Sequence, residues 1–219
     1  MNLMETMERK KVKEMPIKNN EREYRAVIEI RAGDAESYIV EGYACTFNDP
    51  YLLYSYDGYE VREQIDPHAF DGCDMTDVIM QYDHAGRVYA RTRNNTLQLL
   101  CDSKGLKVRA DLSGTEEGKK LCDEIRGGYI DRMSFGFVVK EDKREVTEDI
   151  QEGTTRVLRT ITKISKLYDV SAVSIPANDN TTISARALSD GLIAEVKTER
   201  SKRALNILKL KLKLEGERE

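Results

Sequence analysis

The chain has 219 residues, of which 40% are hydrophobic and 34% charged, with no tryptophan and a formal net charge of −4. That length is enough for one sizeable globular domain plus tails, and the acidic balance argues against a general nucleic-acid binder, whose phosphate contacts leave a basic excess. No apolar run approaches the ~18 residues of a membrane helix, the start MNLMETMERKKVKEM lacks the apolar centre of a signal peptide, and Cys45, Cys73, Cys101 and Cys122 form no C-x-x-C pair, so the expectation is a cytoplasmic protein with reduced, mostly buried thiols and no zinc site, redox motif or membrane partner.

Residues 1–20, rich in Met, Lys and Glu without a period, predict a flexible arm outside the core. From residue 21 the texture changes to alternation. EREYRAVIEIRA places Tyr24, Ala26, Ile28 and Ile30 on one side of a half-buried strand. SYIVEGYACTF follows as a second strand, with Gly42 marking a bulge or close backbone approach. DVIMQYDH and RVYART extend the β pattern, and in TLQLLCDSKGLKVRADL the residues Leu97 and Leu99 answer Leu106, Val108, Ala110 and Leu112 across a hairpin closed at Gly105. One internal helix is signalled by SGTEEGKKLCDEIRGG, opening on a capping-box spacing from Ser113 to Glu116 and stopping at Gly127 and Gly128. RMSFGFVVK and the stretch to about 187 are β-like again. The tail 188–219 is basic and amphipathic: leucines at 208, 210, 212 and 214 alternate as in a strand, while Leu205, Leu208 and Leu212 make a helical stripe, and periodicity does not choose between them. It reads either as a solvated tail or as a docking segment for a partner.

The chain holds only two histidines, His68 and His84, too few for a metal site that needs three or four convergent ligands. His84 ends the apolar run VIMQYDH two residues before Gly86, where a strand stops and a side chain becomes reachable, while His68 follows a proline in the turn IDPHAF. In GGYIDRMSFGFVVK, alternation sends Ser134 away from Met133 and Phe135, and Gly136 leaves room for a backbone to approach. By residue type alone Ser134 and His84 are a candidate nucleophile and base. A strand serine bonded to nearby backbone, and a surface histidine in a turn, are the commoner readings of these residue types.

The succession EGYACTFND, EQIDPHAF, VIMQYDHAGRVYAR, GLKVRADL, MSFGFVV and LYDVSAVSIPAND, over roughly residues 25–185, resembles the tailed-bacteriophage prohead proteases, the capsid-maturation serine proteases related to the herpesvirus assembly proteases. The resemblance implies a mainly β fold with flanking helices (α+β). More specifically it implies a compact herpesvirus-protease-like β-barrel over 21–187, with charged N- and C-terminal extensions. It carries the family serine onto Ser134 and the family histidine onto His84. Asp169 is the third member, with Asp111 of VRADL the alternative. His68 stands where the family usually has glycine before AF, a departure that leaves a Ser-His-His arrangement formally open. The activity implied is acyl transfer by a serine endopeptidase, without cofactor or metal, using backbone N–H donors for the oxyanion. Its implied substrates and partners are the scaffolding protein or segment and the major capsid protein inside the assembling prohead, in the host cytoplasm, with self-processing of its tails and a possible homodimer. A non-catalytic assembly or scaffold-binding module on the same barrel is the alternative, because fold alone does not establish activity.

Overall fold

In the computed structural model, which describes residues 22–34, 36–149, 153–174 and 183–216, the alternating segments become ten strands and the longer-period segments two α-helices. The strands are β1 (Glu23–Ala32), β2 (Ile39–Thr46), β3 (Tyr51–Tyr56), β4 (Tyr59–Ile65), β5 (Ile79–Tyr82), β6 (Ala85–Arg91), β7 (Leu97–Cys101), β8 (Gly105–Asp111), β9 (Arg132–Asp149) and β10 (Thr154–Val173). Helix α1 spans Glu116–Arg126 and α2 spans Ile183–Gly216. The arm expected over 1–20 and the PAN segment at 176–178 lie outside the described residues.

The expectation of a mainly β fold with flanking helices holds, but the barrel is not closed. The strands run in the order β3-β4-β10-β9-β1-β2-β8-β7, β5 and β6 branch from β10, and the end strands β3 and β7 do not pair. The cause lies in β10, which shares one edge between two parallel neighbours. Thr155–Ile161 pair with β4 and Asp169–Ala172 with β5, so the sheet forks instead of returning on itself. This fork brings the β5–β6 hairpin to the end of the β9–β10 ladder where Asp169 and Ser171 face Gly136 and Ser134.

Several local readings shift by a residue or two. The hairpin at Gly105 forms as expected, with Leu97 opposite Ala110 and Leu99 opposite Val108. The Asp102 carboxylate closes its turn by accepting from the backbone N–H of Lys104 (2.8 Å) and Gly105 (3.0 Å). The bulge in β2 falls between Tyr43 and Cys45 rather than at Gly42. Helix α1 is capped by Thr115, whose hydroxyl accepts from Gly118 N–H at 3.0 Å, not by Ser113; it ends at Gly127 and Gly128, the latter at φ +74°. The β pattern does not continue to 187, since α2 begins at Ile183, and its following residues settle the ambiguity of the tail in favour of helix. Of the cysteines only Cys45 and Cys122 are buried, and Cys101 is exposed; all four are free. Burial pushes the Cys45 thiol up to about 12, which leaves it protonated and inert.

Two cores form. The larger joins β1, β2, β8, β9 and β10 to α1 through Ile30, Val40, Val108, Leu121, Phe135, Phe137, Ile161 and Val170; the smaller packs Leu192 and Ile193 of α2 on Leu53, Tyr54, Val61 and Val157. The boundary between them is ionic. On β4 Glu63 lies between Val61 and Ile65, and on β10 Arg159 lies between Val157 and Ile161, so period 2 puts a charge between an anchor of each core. Arg25, expected on the solvent side of β1, joins them at 2% exposure. Its guanidinium donates to both Glu63 oxygens, at 2.5 and 3.1 Å, and to Glu23 at 2.6 Å. Arg159 donates to Glu63 (2.6 Å), Asp142 (2.6 Å) and Glu23 (2.8 Å), and the Tyr51 hydroxyl donates to Glu63 at 2.5 Å.

Burial by itself would raise the Glu63 carboxyl, but the Arg25 and Arg159 charges and the bonds from Arg25 and Tyr51 outweigh it and hold the group at about 2. A folded-state value below the unfolded one means that the unfolded chain binds the extra proton. The stabilisation from Glu63 is therefore fully present above the ordinary glutamate value of about 4.3 and is lost as pH falls towards the folded value. Urea unfolding should show a midpoint that declines between roughly pH 4.3 and pH 2, and the decline attributable to this group should vanish in Glu63→Gln.

Candidate active site

On β9 the side chains of Met133, Phe135 and Phe137 enter the larger core, so Ser134 and Gly136 project from the opposite face. Strand β10 runs antiparallel beside them with Ser171 opposite Ser134 and Asp169 opposite Gly136. That register depends on a bulge. Leu167 pairs with Phe137 and Asp169 with the next residue, Gly136, leaving Tyr168 as the extra residue. The bulge changes the parity of β10, so that Leu167 and Val170 are both core residues while Asp169 and Ser171 turn to the face of Ser134.

His84 reaches the same place from the far edge of β10. Strand β5 lies parallel there, with Gln81 beside Ser171 and Tyr82 beside Ala172. Tyr82 pairs with Ala85 across β6, leaving Asp83 and His84 as a two-residue loop. Both have positive φ, 47° and 56°, the sign a tight hairpin needs to follow the strand twist. Non-glycine residues are strained there by ~1 kcal/mol or more, and the surroundings hold them in place. Asp83 N–H donates to the Ala172 carbonyl at 3.0 Å, and the Asp83 carboxylate accepts from Ser174 N–H at 2.9 Å and Ser174 Oγ at 2.8 Å.

The three elements meet in one hydrogen-bonded chain. His84 Nε2 stands 2.5 Å from Ser134 Oγ, and His84 Nδ1 is bonded to Asp169 Oδ2. With the Nδ1 proton donated to the carboxylate, Nε2 is the acceptor that faces the Ser134 hydroxyl. Asp169 Oδ2 also accepts from Ser171 Oγ at 3.0 Å. The other oxygen, Oδ1, is buried without a hydrogen-bond partner, and Arg22 Nη1 lies 3.6 Å from it while its guanidinium stacks over the Tyr168 ring at 3.9 Å. Tyr24 lays its ring against His84, centroids 4.4 Å apart at 59°. Its backbone is fixed from below, where Arg25 Nη1 donates to the Tyr24 carbonyl at 2.8 Å. The ionic layer and the site are thus joined through adjacent residues of β1.

A profile comparison decides what kind of chain carries this arrangement: the model of the caudovirus prohead serine proteases matches residues 26–195. The chain belongs to that family. No curated protein and no solved structure matches it significantly. Membership supports a role in capsid maturation, and the matched span contains every residue of the hydrogen-bonded chain.

In this prohead protease-family chain the remaining candidates lie elsewhere. His68 is in an exposed turn, its Nδ1 3.0 Å from Asp71 Oδ2, and Asp111 accepts from Ser113 N–H at 2.9 Å at the end of β8. Neither bonds to His84, so the geometry brings together Ser134, His84 and Asp169 and leaves Asp111 and His68 out. Ser134 is fully buried, and the His84 side chain, 15% exposed, is the member that reaches solvent. Gly136 differs from expectation. It admits side chains rather than a backbone, because a Cβ there would stand 2.3 Å from Asp169 Oδ1 and 2.9 Å from the Tyr24 ring. Gly136→Ala should therefore displace Asp169 and lower kcat/KM by about 100-fold, the effect of a misplacement near 1 Å, as measured by peptide cleavage alongside a thermal melt that shows the fold retained.

Ser171, Asp83 and Tyr24 escaped the sequence reading. For Ser171 the signal was available, since it lies two residues after Asp169 in one strand and must share its face. Asp83 was detectable as the first residue of a D-H pair between two apolar runs, the length of a tight hairpin. Nothing local marks Tyr24, whose contact with His84 spans three strands.

Proposed function

We propose that this chain is a serine endopeptidase that cleaves the scaffolding protein or segment and the major capsid protein inside the assembling prohead, in the host cytoplasm, and trims its own tails. Ser134 is the nucleophile, His84 the base and Asp169 the group that orients it. The observation that carries this reading is the continuous hydrogen-bonded chain from Asp169 through both nitrogens of His84 to Ser134.

The chemistry follows from the protonation pattern. Ser134 Oγ attacks the peptide carbonyl as its proton passes to His84 Nε2. The imidazolium formed is stabilised by Asp169, and the same proton then goes to the leaving amine as the C–N bond breaks. Water attacks the acyl-enzyme by the same route in reverse. Ser171 restricts Asp169 Oδ2 to one orientation by its own hydrogen bond. Because Ser134 is buried, the substrate carbonyl gains access only through an opening movement at this face, a property that suits an enzyme confined with its substrates until assembly is complete.

The test is co-expression with the major capsid and scaffolding proteins of the same phage. Wild type is expected to yield cut products that are absent with Ser134→Ala and with His84→Ala. Identical uncut products from wild type and Ser134→Ala under assembly conditions would overturn the reading.

A further inference from the structure

The first half of α2 is part of the body, and the second half leaves it. Leu188, Leu192, Ile193 and Val196 pack into the smaller core, and Arg200 donates to Thr155 Oγ1 at 2.9 Å. From Ser201 to Leu214 every residue is exposed. Six of these are large and apolar, Leu205, Ile207, Leu208, Leu210, Leu212 and Leu214, each 48–60% exposed. Five are cations, Lys202, Arg203, Lys209, Lys211 and Lys213, and none is a carboxylate, on a chain whose net charge is −4.

Helical geometry sorts these side chains. At about 100° per residue, Leu205, Leu208 and Leu212 form one stripe and Ile207, Leu210 and Leu214 a second on the opposite side. Lys211 occupies one gap between the stripes, and Lys202, Asn206, Lys209 and Lys213 the other, while Arg203 lies in line with the second stripe one turn before Ile207. Each stripe repeats at three then four residues, the spacing of a coiled-coil seam, and each is bordered by cations.

This pattern discriminates between occupants. A membrane surface takes one apolar face and would leave the other stripe in water. Nucleic acid would match the cations and leave six apolar side chains unburied. A second copy of the helix would bring lysines against lysines along each seam. Helices with apolar seams flanked by glutamate or aspartate satisfy both stripes and the four lysines between them at once. We propose that residues 201–214 of α2 are a docking helix for an acidic coiled-coil partner that presents two helices, one to each stripe.

The test uses the full chain carrying Ser134→Ala, so that its outcome does not depend on proteolysis. The probe is a synthetic peptide of about four heptads, leucine at the seam positions and glutamate on both flanks, with a lysine-flanked peptide of the same seam as control. Fluorescence anisotropy should show the acidic peptide bound at least ~10-fold more tightly than the basic one, two helices per chain, and weakened as salt rises from about 50 to about 300 mM. Leu208→Gln and Leu210→Gln, one in each stripe, should each weaken binding while leaving the thermal melt unchanged, since both side chains are exposed. The proposal is overturned if neither peptide binds, if both bind equally, if the chain binds phosphatidylserine vesicles but not the acidic peptide, or if sedimentation shows a dimer of the chain that Leu208→Gln dissolves.

Discussion

Ser134→Ala should reduce cleavage of capsid protein by about 10⁴-fold or more, and adding His84→Ala to it should reduce the rate little further. In the proposed mechanism the two groups act on one proton. Once Oγ is gone the base has nothing to activate, so the losses do not add. Asp169→Asn tests the third position differently. It preserves the shape of the side chain but removes the charge that favours an imidazolium, and the amide can present N–H to His84 Nδ1, leaving the ring proton on Nε2 where it blocks acceptance from Ser134. A loss of about 10³- to 10⁴-fold in kcat with little change in KM is expected, read from initial rates on a peptide spanning a capsid cleavage site. A loss confined to KM would mean that Asp169 supports substrate binding and not the histidine.

Glu63→Gln should destabilise the fold by about 3 kcal/mol or more, because removing one member of a buried ionic group leaves its partners' charges uncompensated. Arg25 and Arg159 both direct N–H groups at Glu63, and neither reaches water, at 2% and 0% exposure. With a urea dependence of about 2 kcal/mol per molar, the midpoint should fall by about 1.5 M. Lys163 and Glu141, 3.3 Å apart but about half exposed, provide the contrast: Lys163→Ala should move stability by roughly 0.5 kcal/mol or less. The Glu63 substitution should also reach the site, since Arg25 holds the Tyr24 carbonyl and the Tyr24 ring rests on His84. A lower kcat at a temperature where the variant is fully folded would show that connection.

The legible part of this molecule is whatever a short period encodes. Ser134 facing away from Met133 and Phe135 follows from alternation alone, and the structure keeps it. The hairpin at Gly105 and the end of α1 at Gly128 follow from turn chemistry. Alternation misled at Arg25, because a bulge between Ala26 and Ile28 changes the parity of β1, so that Arg25, opposite Phe135, lies on the same core-facing side as Ile30 and there meets Glu63. In the tail it left strand and helix open, because leucine at every second residue from 208 to 214 fits a strand and, wound as a helix, also yields two opposed stripes. The sheet stays unclosed for a non-local reason: no stretch of β10 announces that its first half will pair with β4 and its second with β5. The bulge at Tyr168, which turns Asp169 towards Ser134, is equally silent. The association of Ser134, His84 and Asp169 came from the order of motifs along the chain, and its geometric basis is visible only once β5 lies beside β10.

The most direct test of the central claim, that His84 and Asp169 make Ser134 a nucleophile, is covalent labelling with a small fluorophosphonate followed by mass spectrometry of the digested chain. The account predicts a single adduct on the peptide containing Ser134 in wild type, formed far more slowly in His84→Ala and in Asp169→Asn. An adduct on another serine, or labelling of Ser134 at the same rate in wild type and His84→Ala, would contradict it.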